Sequence, residues 1–531
     1  MSDMQKKQNF LQGTALLAMA TAIVKVIGAL YKIPLNAVIG EQGFGYFNTA
    51  YDIYNVLLMI STAGLPVAMS RMISQASSMG HFNQVRRIYA TARGIFLGLG
   101  IAGSLLMTLF CRQLAAFQNQ PDAWAAIGSL GPAVLLICVM SAFRGYFQGQ
   151  GNMIPTSVSQ VLEAITKLIV GMAAAILLVR ITGSIPLAAG GAILGVTVSC
   201  LVSSVYLFFC FRGSYRELPH TTEEPRSWND TAKGLLIIAV PITLGSAGLQ
   251  LLTTLETKIY MGRLLSLGNT QTAADTMRGI YGMCLTIFNM PCAFIPAITI
   301  SIIPAITAQL TLCENQKAKE IAESAARITG LIAMPCAFGL ALLAEPVTAL
   351  LGGYSGANLV LAARMMRLLG FAIIFDAVVL VTTAIMQACG HAGRPVINML
   401  LGGLLKLAAV YILTGNPHIG IVGTPIGTLL CYASISVLNL YSICTLLENP
   451  PAIVRNLIRS FFSAVIMGVF VLAALYGLSA LGIGSRLLLC AIPIAVGAAV
   501  YIFAVIRLKA VTRQDCLLLP KGEKIAKIMK L

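Results

Sequence analysis

The sequence predicts an all-α polytopic membrane protein with about fourteen transmembrane helices. Hydrophobic residues make up 57% of the 531 positions and charged residues only 10%, whereas a soluble domain carries about 25% charged residues. Apolar runs of roughly 20 to 28 residues recur along the chain, and each can cross a hydrocarbon core of about 30 Å as a helix. A soluble globule is therefore excluded.

The predicted spans follow one another with short connections. They lie near residues 11–37, 46–70, 88–110, 123–148, 155–179, 186–211, 233–262, 276–308, 324–343, 358–388, 395–414, 419–446, 455–479 and 484–507. The first apolar run is longer than that of a signal peptide and no small-residue cleavage site follows it, so we expect it to remain as a spanning helix. The longest connection is short and polar, so we expect no large extramembrane domain.

An internal repeat divides the chain into two similar halves. The stretch Ser141–Lys167, with its glycine-rich turn and proline, is matched by Ala384–Lys406. The equivalent pairs include Gln148 with Gln387, Gly151 with Gly390, Lys167 with Lys406, Tyr51 with Tyr281, Gly131 with Gly370, Gly191 with Gly423, and Gly195 with Gly427. Six helices in each copy give both copies the same orientation, which predicts two pseudo-symmetric lobes related by an axis along the membrane normal.

The repeat predicts the domain organisation. We expect an N-lobe at 1–212, a cytoplasmic linker at 213–232, a C-lobe at 233–447, an additional helix pair at 448–508 that provides a lipid-tail groove, and a basic cytoplasmic tail at 509–531. Lysine and arginine are concentrated in alternate loops and at both ends of the chain. Because basic loops stay on the cytoplasmic side, both termini are expected in the cytoplasm of a cell-membrane protein.

The net charge of +17 follows largely from this loop bias. We interpret it as topology and contact with anionic membrane lipids, not as nucleic-acid binding. The thirteen cysteines include no CxxC pair, and the four histidines are dispersed. The sequence therefore predicts no metal site and no cofactor. Coupling to the membrane potential, to H⁺ or to Na⁺ stays open.

Charged residues inside the spans are the candidate functional residues. A charge at the centre of a membrane helix costs about 2.5 to 3.5 kcal/mol, so these side chains should line a pathway. The candidate anion-binding residues are Lys25, Lys32, Arg71, Arg144, Lys167 and Lys406. The carboxylates, for ion coupling or structure, are Asp52, Glu163, Glu256 and Asp376. Together with Lys258 the cations exceed the anions, and an anionic substrate would neutralise the excess.

Structural roles for some of these residues compete with substrate binding. Arg71 and Arg144 lie toward the predicted cytoplasmic side and can extend to the headgroups. Glu163 and Lys167 stand one helical turn apart, so we expect them to pair. Lys25 lies near the middle of the first span with no acidic residue one turn away. A substrate contact is therefore the best explanation for Lys25.

Several motifs resemble one known family. They are the run FRGYFQGQGNMIPTSVSQVLEAITKL, the first-span pattern KVIGALYKIPL with GEQGFGYFNTAY, and AVPITLGS in the seventh span. They are similar to the polysaccharide-biosynthesis branch of the multidrug/oligosaccharidyl-lipid/polysaccharide (MOP) superfamily, near the stage V sporulation protein B type and the MurJ lipid II flippases. The resemblance covers essentially the whole chain and implies a fold like that of the superfamily's multidrug (MATE) transporters.

The resemblance implies a function and a partner. The substrate would be an undecaprenyl-diphosphate-linked glycan, foremost lipid II, moved from the inner to the outer leaflet, and cell-wall synthesis machinery would be a partner. Lys25 matches the first of two basic residues in the MurJ first helix, and Lys32 matches the second with a one-residue shift. The basic residue that MurJ carries in its second helix has no counterpart near Leu58. This departure leaves the exact glycan open.

Two other functions stay open at this stage. A cation-coupled multidrug exporter of the same superfamily would use Asp52, Glu256 and Asp376 to bind cationic drugs and exchange ions. A polytopic enzyme acting on lipid-linked sugars would normally need a large external loop with catalytic residues, and the sequence predicts none. We therefore expect a transporter and not an enzyme.

Overall fold

The computed structural model describes residues 3–219, 221–293, 295–482 and 484–512, and within these ranges every regular element is helical. The helices are α1 Asp3–Thr62, α2 Leu65–Ser78, α3 Phe82–Leu109, α4 Cys111–Phe117, α5 Trp124–Gly149, α6 Ile154–Thr182, α7 Ile185–Arg216, α8 Trp228–Ser266, α9 Gln271–Cys292, α10 Ile295–Thr311, α11 Asn315–Leu342, α12 Ala344–Leu351, α13 Gly356–Ala388, α14 Gly393–Thr414, α15 Gly423–Leu446, α16 Ile453–Ala480 and α17 Arg486–Arg507. The predicted basic tail lies outside the described residues from 513 onward.

The predicted spans coincide with helices, although the count of fourteen is not confirmed. Within the described residues, twelve helical segments are long and apolar enough to cross a membrane. The first of them, Met19–Ser78, covers most of the first predicted span and all of the second, and α1 is broken inside it at Gly40, where φ is 69°. A backbone with positive φ favours glycine, which explains how the chain bends between KIPL and the following helix. The protein is a multi-pass membrane protein.

The chain divides into two compact units, Met1–Gly282 and Met283–Leu531. In the first, α5, α6 and α7 pack against one another, α3 packs on α5, and α8 packs along α1, α2 and α3. In the second, α13 packs against α11 and α15, α14 packs on α15, and α16 packs against α11 and α17. The division falls inside α9, later in the chain than the predicted linker, and the predicted lobe boundaries stay a prediction.

The two copies of the repeat pack their helices with equivalent contacts. Ser204 of α7 donates to the carbonyl of Leu136 in α5 at 3.3 Å. At the matching positions of the second copy, Ser436 of α15 donates to the carbonyl of Phe375 in α13 at 3.0 Å. Each hydrogen bond stays inside its own unit. The sequence repeat is therefore also a repeat of packing geometry.

The glycine-rich stretch that begins the repeat is an interhelical turn in both copies. Gly151 has φ of 76° and Gly390 has φ of 84°. The next amide in each turn, that of Asn152 or His391, donates to the carbonyl five residues earlier at 2.9 Å. This is the pattern by which a left-handed glycine ends a helix. The glycine-rich turn named in the sequence analysis is confirmed.

Candidate functional site

The first half of α1 carries Lys32 into the first unit. The neighbouring Tyr31 is buried, and its hydroxyl donates to the carbonyl of Ala192 in α7 at 2.8 Å. Gly171 of α6 leaves room for this ring, because a Cβ at that position would lie 2.6 Å from the Tyr31 hydroxyl. The Lys32 side chain is half-buried, with its Nζ 5.8 Å from the centre of the Tyr51 ring. Because Tyr31 is fixed against α6 and α7, the adjacent Lys32 side chain is held at its position near Tyr51.

A buried ion pair joins the second half of α1 to α9. The Arg278 guanidinium lies 2.5 Å from the Asp52 carboxylate, and the two side chains are 4% and 13% exposed. Thr257 of α8 donates to the same carboxylate oxygen at 2.8 Å. Asp52 is therefore a shared acceptor for α8 and α9, and its charge is taken up by Arg278.

A second ion pair joins α5 to α6 and corrects one expectation. Arg144 donates from Nε to the Ser159 hydroxyl at 3.1 Å and from its terminal nitrogen to the Glu163 carboxylate at 3.0 Å. Within the described residues Glu163 pairs with Arg144 and not with Lys167, so the predicted Glu163–Lys167 pair is wrong. An i,i+4 pair on one helix stabilises by only about 0.2–0.5 kcal/mol, whereas a guanidinium can bind two acceptors at once.

Lys167 is left without a carboxylate partner among the described residues. Its side chain is half-buried on α6 and lies close enough to Lys32 for their charges to repel, with Asp52 and Arg278 also in range of Lys32. Lys32, Arg144, Lys167 and Arg278 therefore face two carboxylates, Asp52 and Glu163, and each carboxylate is already held by an arginine. We call these six residues the cationic cluster. Its excess positive charge resides on the two lysines.

The ion pairs described above do not include the remaining predicted site residues. Lys25 and Arg71 have exposed side chains, and neither forms a hydrogen bond or ion pair with the described residues. Glu256 is 4% exposed and accepts a long hydrogen bond of 3.5 Å from Tyr281. In the second unit, Asp376 is buried and hydrogen-bonded to the Cys292 thiol. Lys406 is half-buried on α14.

The second copy of the repeat has neutral groups where the first copy has the Arg144–Glu163 ion pair. The positions that match Arg144 and Ser159 are Thr383 and Asn398. Asn439 donates to Thr382 at 3.0 Å and to Thr383 at 3.3 Å, and its carbonyl accepts from Asn398 at 2.8 Å. Charge is therefore concentrated in the first unit, although the backbone packing repeats.

The chain belongs to the polysaccharide biosynthesis protein family. The family model matches residues 10–309, a range that contains every residue of the cationic cluster. The chain is 26% identical over 422 residues to stage V sporulation protein B of Bacillus subtilis (strain 168), covering 78% of this chain and 80% of that protein. It is 23% identical over 412 residues to the lipid II flippase MurJ of the same organism, covering 75% and 76%.

Two solved structures establish the fold. Lipid II flippase MurJ in an inward closed conformation superposes with a TM-score of 0.69 at 13% identity, covering 92% of this chain and 98% of that one. An inward-facing multidrug resistance MATE family transporter of the MOP superfamily gives 0.59 at 16% identity, covering 80% and 92%. The predicted resemblance to the MOP superfamily is confirmed.

Two charged residues of this family member were missed by the sequence reasoning. Arg278 and Asp275 lie beside the predicted start of the eighth span at residue 276, where they resemble ordinary loop charges. In the structure Asp275 is fully buried, and it accepts from Gln120 at 2.8 Å and from Tyr46 at 3.1 Å. Only the spacing of Asp275 and Arg278, one helical turn apart, could have drawn attention to them.

No group of three or more His, Cys, Asp and Glu side chains that could hold a metal ion occurs in the part of the chain that the structure describes.

Proposed function

We propose that the protein is a flippase that moves an undecaprenyl-diphosphate-linked glycan, namely the peptidoglycan precursor lipid II, from the inner to the outer leaflet by alternating access. Membership in the polysaccharide biosynthesis family and the MurJ-like fold support a lipid-linked glycan flippase. The family relationship supports a transporter and not an enzyme. Cell-wall synthesis machinery would be the partner that consumes the product.

The single observation that carries the proposal is the uncompensated charge of Lys32 and Lys167. Asp52 and Glu163 are held by Arg278 and Arg144, so the two lysines would bind the substrate's diphosphate. Unaided transfer of a diphosphate through hydrocarbon is penalised by several kcal/mol per charge. Lysine ammonium groups replace part of the water that the diphosphate loses. Lys25, Arg71 and Lys406 belong to the proposal as further cationic contacts.

The membrane potential favours movement of the anionic substrate from the inner to the outer leaflet. With the outside positive, outward movement of an anion gains about 2.3 kcal/mol per charge per 100 mV. We propose that the membrane potential is the main driving force for transport. Exchange of H⁺ or Na⁺ at Asp376 or Glu256 is the second candidate driving force.

The apolar helix pair α16 and α17 would hold the polyprenyl tail outside the polar pathway, since the described part of this pair carries few charges between Arg459 and Arg507.

A multidrug exporter is the second candidate, because a MATE transporter is a structural neighbour. Such an exporter binds cationic drugs and needs free carboxylates. In the cationic cluster both carboxylates are already paired with arginine, which favours an anionic substrate. Transport of a lipophilic cation by the purified protein would support the exporter instead.

The decisive experiment measures lipid II in each leaflet. Purified protein is reconstituted in vesicles with a membrane potential, and externally added enzyme cleaves only the lipid II exposed outside. We expect Lys32→Gln and Lys167→Gln each to weaken lipid II binding about ten- to a hundredfold, since a hydrogen bond to a charged group contributes about 1.5–3 kcal/mol. Transport should fall accordingly.

The matched control is Lys317→Gln. Lys317 is 63% exposed and, among the described residues, pairs only with Glu314, which caps α11, so its loss removes the same charge outside the cationic cluster. Parental transport by both cluster variants would refute the diphosphate site. Equal transport of lipid II and of an undecaprenyl diphosphate with an unrelated glycan would confirm the site and refute specificity for lipid II.

A further inference from the structure

A cavity of about 630 Å³ lies in the second unit, and no residue of the cationic cluster lines it. Its walls come from α11, α12, α13, α16 and α17, and its charged lining residues are Glu345, Arg367 and Arg486. This volume falls within the range of about 300–1,000 Å³ that is typical of small-molecule sites. Within the second unit, the cavity lies between the helix pair α16 and α17 and the helices α11, α12 and α13.

The charged groups of this cavity remain available to a ligand. Arg486, the first residue of α17, donates to the carbonyl of Ala349 at 3.1 Å. Arg367 forms no hydrogen bond or ion pair with the described residues, and neither arginine pairs with Glu345. Arg367 and Arg486 are both exposed, and both line the cavity. Two arginines beside one carboxylate leave a net positive site, and guanidinium is well suited to bind phosphate.

The rest of the lining is apolar. Leu342, Phe371, Leu475 and Leu489 contribute hydrocarbon and aromatic surface, and Tyr476 and Ser479 are the remaining lining residues with polar side-chain groups. α13, α16 and α17 are candidate membrane spans, so this surface lies where lipid chains are present. A basic recess between membrane helices is a typical binding site for a lipid headgroup.

We propose that this cavity binds a membrane phospholipid, with its phosphate between Arg367 and Arg486 and its acyl chains along the apolar wall. A phosphate and the adjoining chain segments fit the volume. A glycan headgroup fits poorly, because its many hydroxyls would face an apolar wall. The site is therefore assigned to a phospholipid and not to the transported lipid, and the assignment does not depend on the proposed function.

The test measures lipid binding to the purified full-length protein in detergent. Native mass spectrometry detects the bound lipid, and thermal unfolding measures the stabilisation that it causes. The probe is phosphatidylglycerol, and diacylglycerol with the same chains is the comparison without phosphate. Arg367→Gln is the main variant, since it breaks no hydrogen bond or ion pair between described residues. We expect its Kd for phosphatidylglycerol to rise about tenfold or more. Diacylglycerol should bind weakly to both proteins.

Arg364→Gln is the matched control. Arg364 lies one turn away on α13, is also exposed and does not line the cavity, so we expect less than about a twofold change. The proposal is overturned if Arg367→Gln binds phosphatidylglycerol like the parent, or if diacylglycerol binds equally well. Tighter binding of undecaprenyl phosphate than of phosphatidylglycerol, lost in Arg367→Gln, would also overturn the phospholipid assignment.

Discussion

Arg278 and Asp52 are 226 positions apart in the chain and form a buried ion pair 2.5 Å long. The pair joins α9 to α1, and Thr257 adds α8 to the same carboxylate. Removing one partner of a buried pair leaves an uncompensated charge, which costs more than the pair itself contributes.

The first prediction concerns this pair. Asp52→Asn should lower the free energy of unfolding by about 3 to 5 kcal/mol, because it leaves Arg278 buried and without its carboxylate. The double variant Asp52→Asn/Arg278→Gln should recover part of the loss. Thermal unfolding of the purified protein measures both effects.

The control for this prediction is the exposed pair Lys317–Glu314, whose side chains are 63% and 39% exposed. Glu314→Gln should change stability by only about 0 to 1 kcal/mol. A loss in Asp52→Asn no larger than that in Glu314→Gln would show that the Asp52 charge is not essential to the fold.

The second prediction separates binding from stability at Lys25. Its exposed side chain has no hydrogen-bond or ion-pair partner among the described residues, so Lys25→Ala should alter the free energy of unfolding by no more than about 0.5 kcal/mol. If Lys25 contacts the diphosphate, Lys25→Ala and Lys25→Glu lose transport and Lys25→Arg retains much of it. Complementation of a flippase-depleted strain, with membrane abundance measured for each variant, decides this. Full complementation by Lys25→Ala would remove Lys25 from the site.

The third prediction concerns the packing of α6 on α7. A Cβ at Gly195 would overlap the backbone of Gly171 and lie 3.1 Å from the Lys167 carbonyl. Gly195→Ala should therefore destabilise the protein by about 1 to 3 kcal/mol and displace Lys167. Gly98→Ala on α3 is the control, since a Cβ there meets nothing within 4 Å. Equal stability of the two variants would contradict the close approach of these helices.

The fourth prediction concerns the linker that follows α7. Glu223 accepts hydrogen bonds from the amides of Asn83 at 2.6 Å and Gln84 at 3.1 Å, at the start of α3. Desolvation opposes ionisation of Glu223, but hydrogen bonds from Thr221 and these amides outweigh it and hold the pKa below its usual value. A lowered pKa means that the ionised linker contact contributes stability above the ordinary pKa of glutamate and loses it as pH falls through the lowered value.

Hydrogen exchange in the first turn of α3 measures this contact. Exchange should accelerate as the pH falls through the lowered pKa of Glu223, and Glu223→Gln should show faster exchange already at neutral pH. Glu224→Gln is the control. The Glu224 carboxylate is next in the chain, is exposed and makes no hydrogen bond or ion pair with the described residues. Identical exchange in the two variants at neutral pH would exclude the proposed role of Glu223.

The sequence by itself determined the membrane class, the positions of the helices and the repeat. These features are local: a span needs a long apolar run that satisfies its own backbone hydrogen bonds, and Gly151 and Gly390 each end a helix through their own backbone conformation. The excess of cations inside the predicted spans could also be counted from the sequence.

Only the tertiary structure decided which charges meet. Glu163 could pair with Lys167 on its own helix or with a residue of another helix, and the packing of α5 on α6 brought Arg144 to it at 3.0 Å. The partner of Asp52 came from α9, beside a predicted span boundary where Arg278 resembled a loop residue. An ion pair depends on distances of a few ångströms between separate helices, and helical periodicity sets distances only within one helix. That is why Lys32 and Lys167 could be named from the sequence, whereas their lack of a carboxylate partner among the described residues could not.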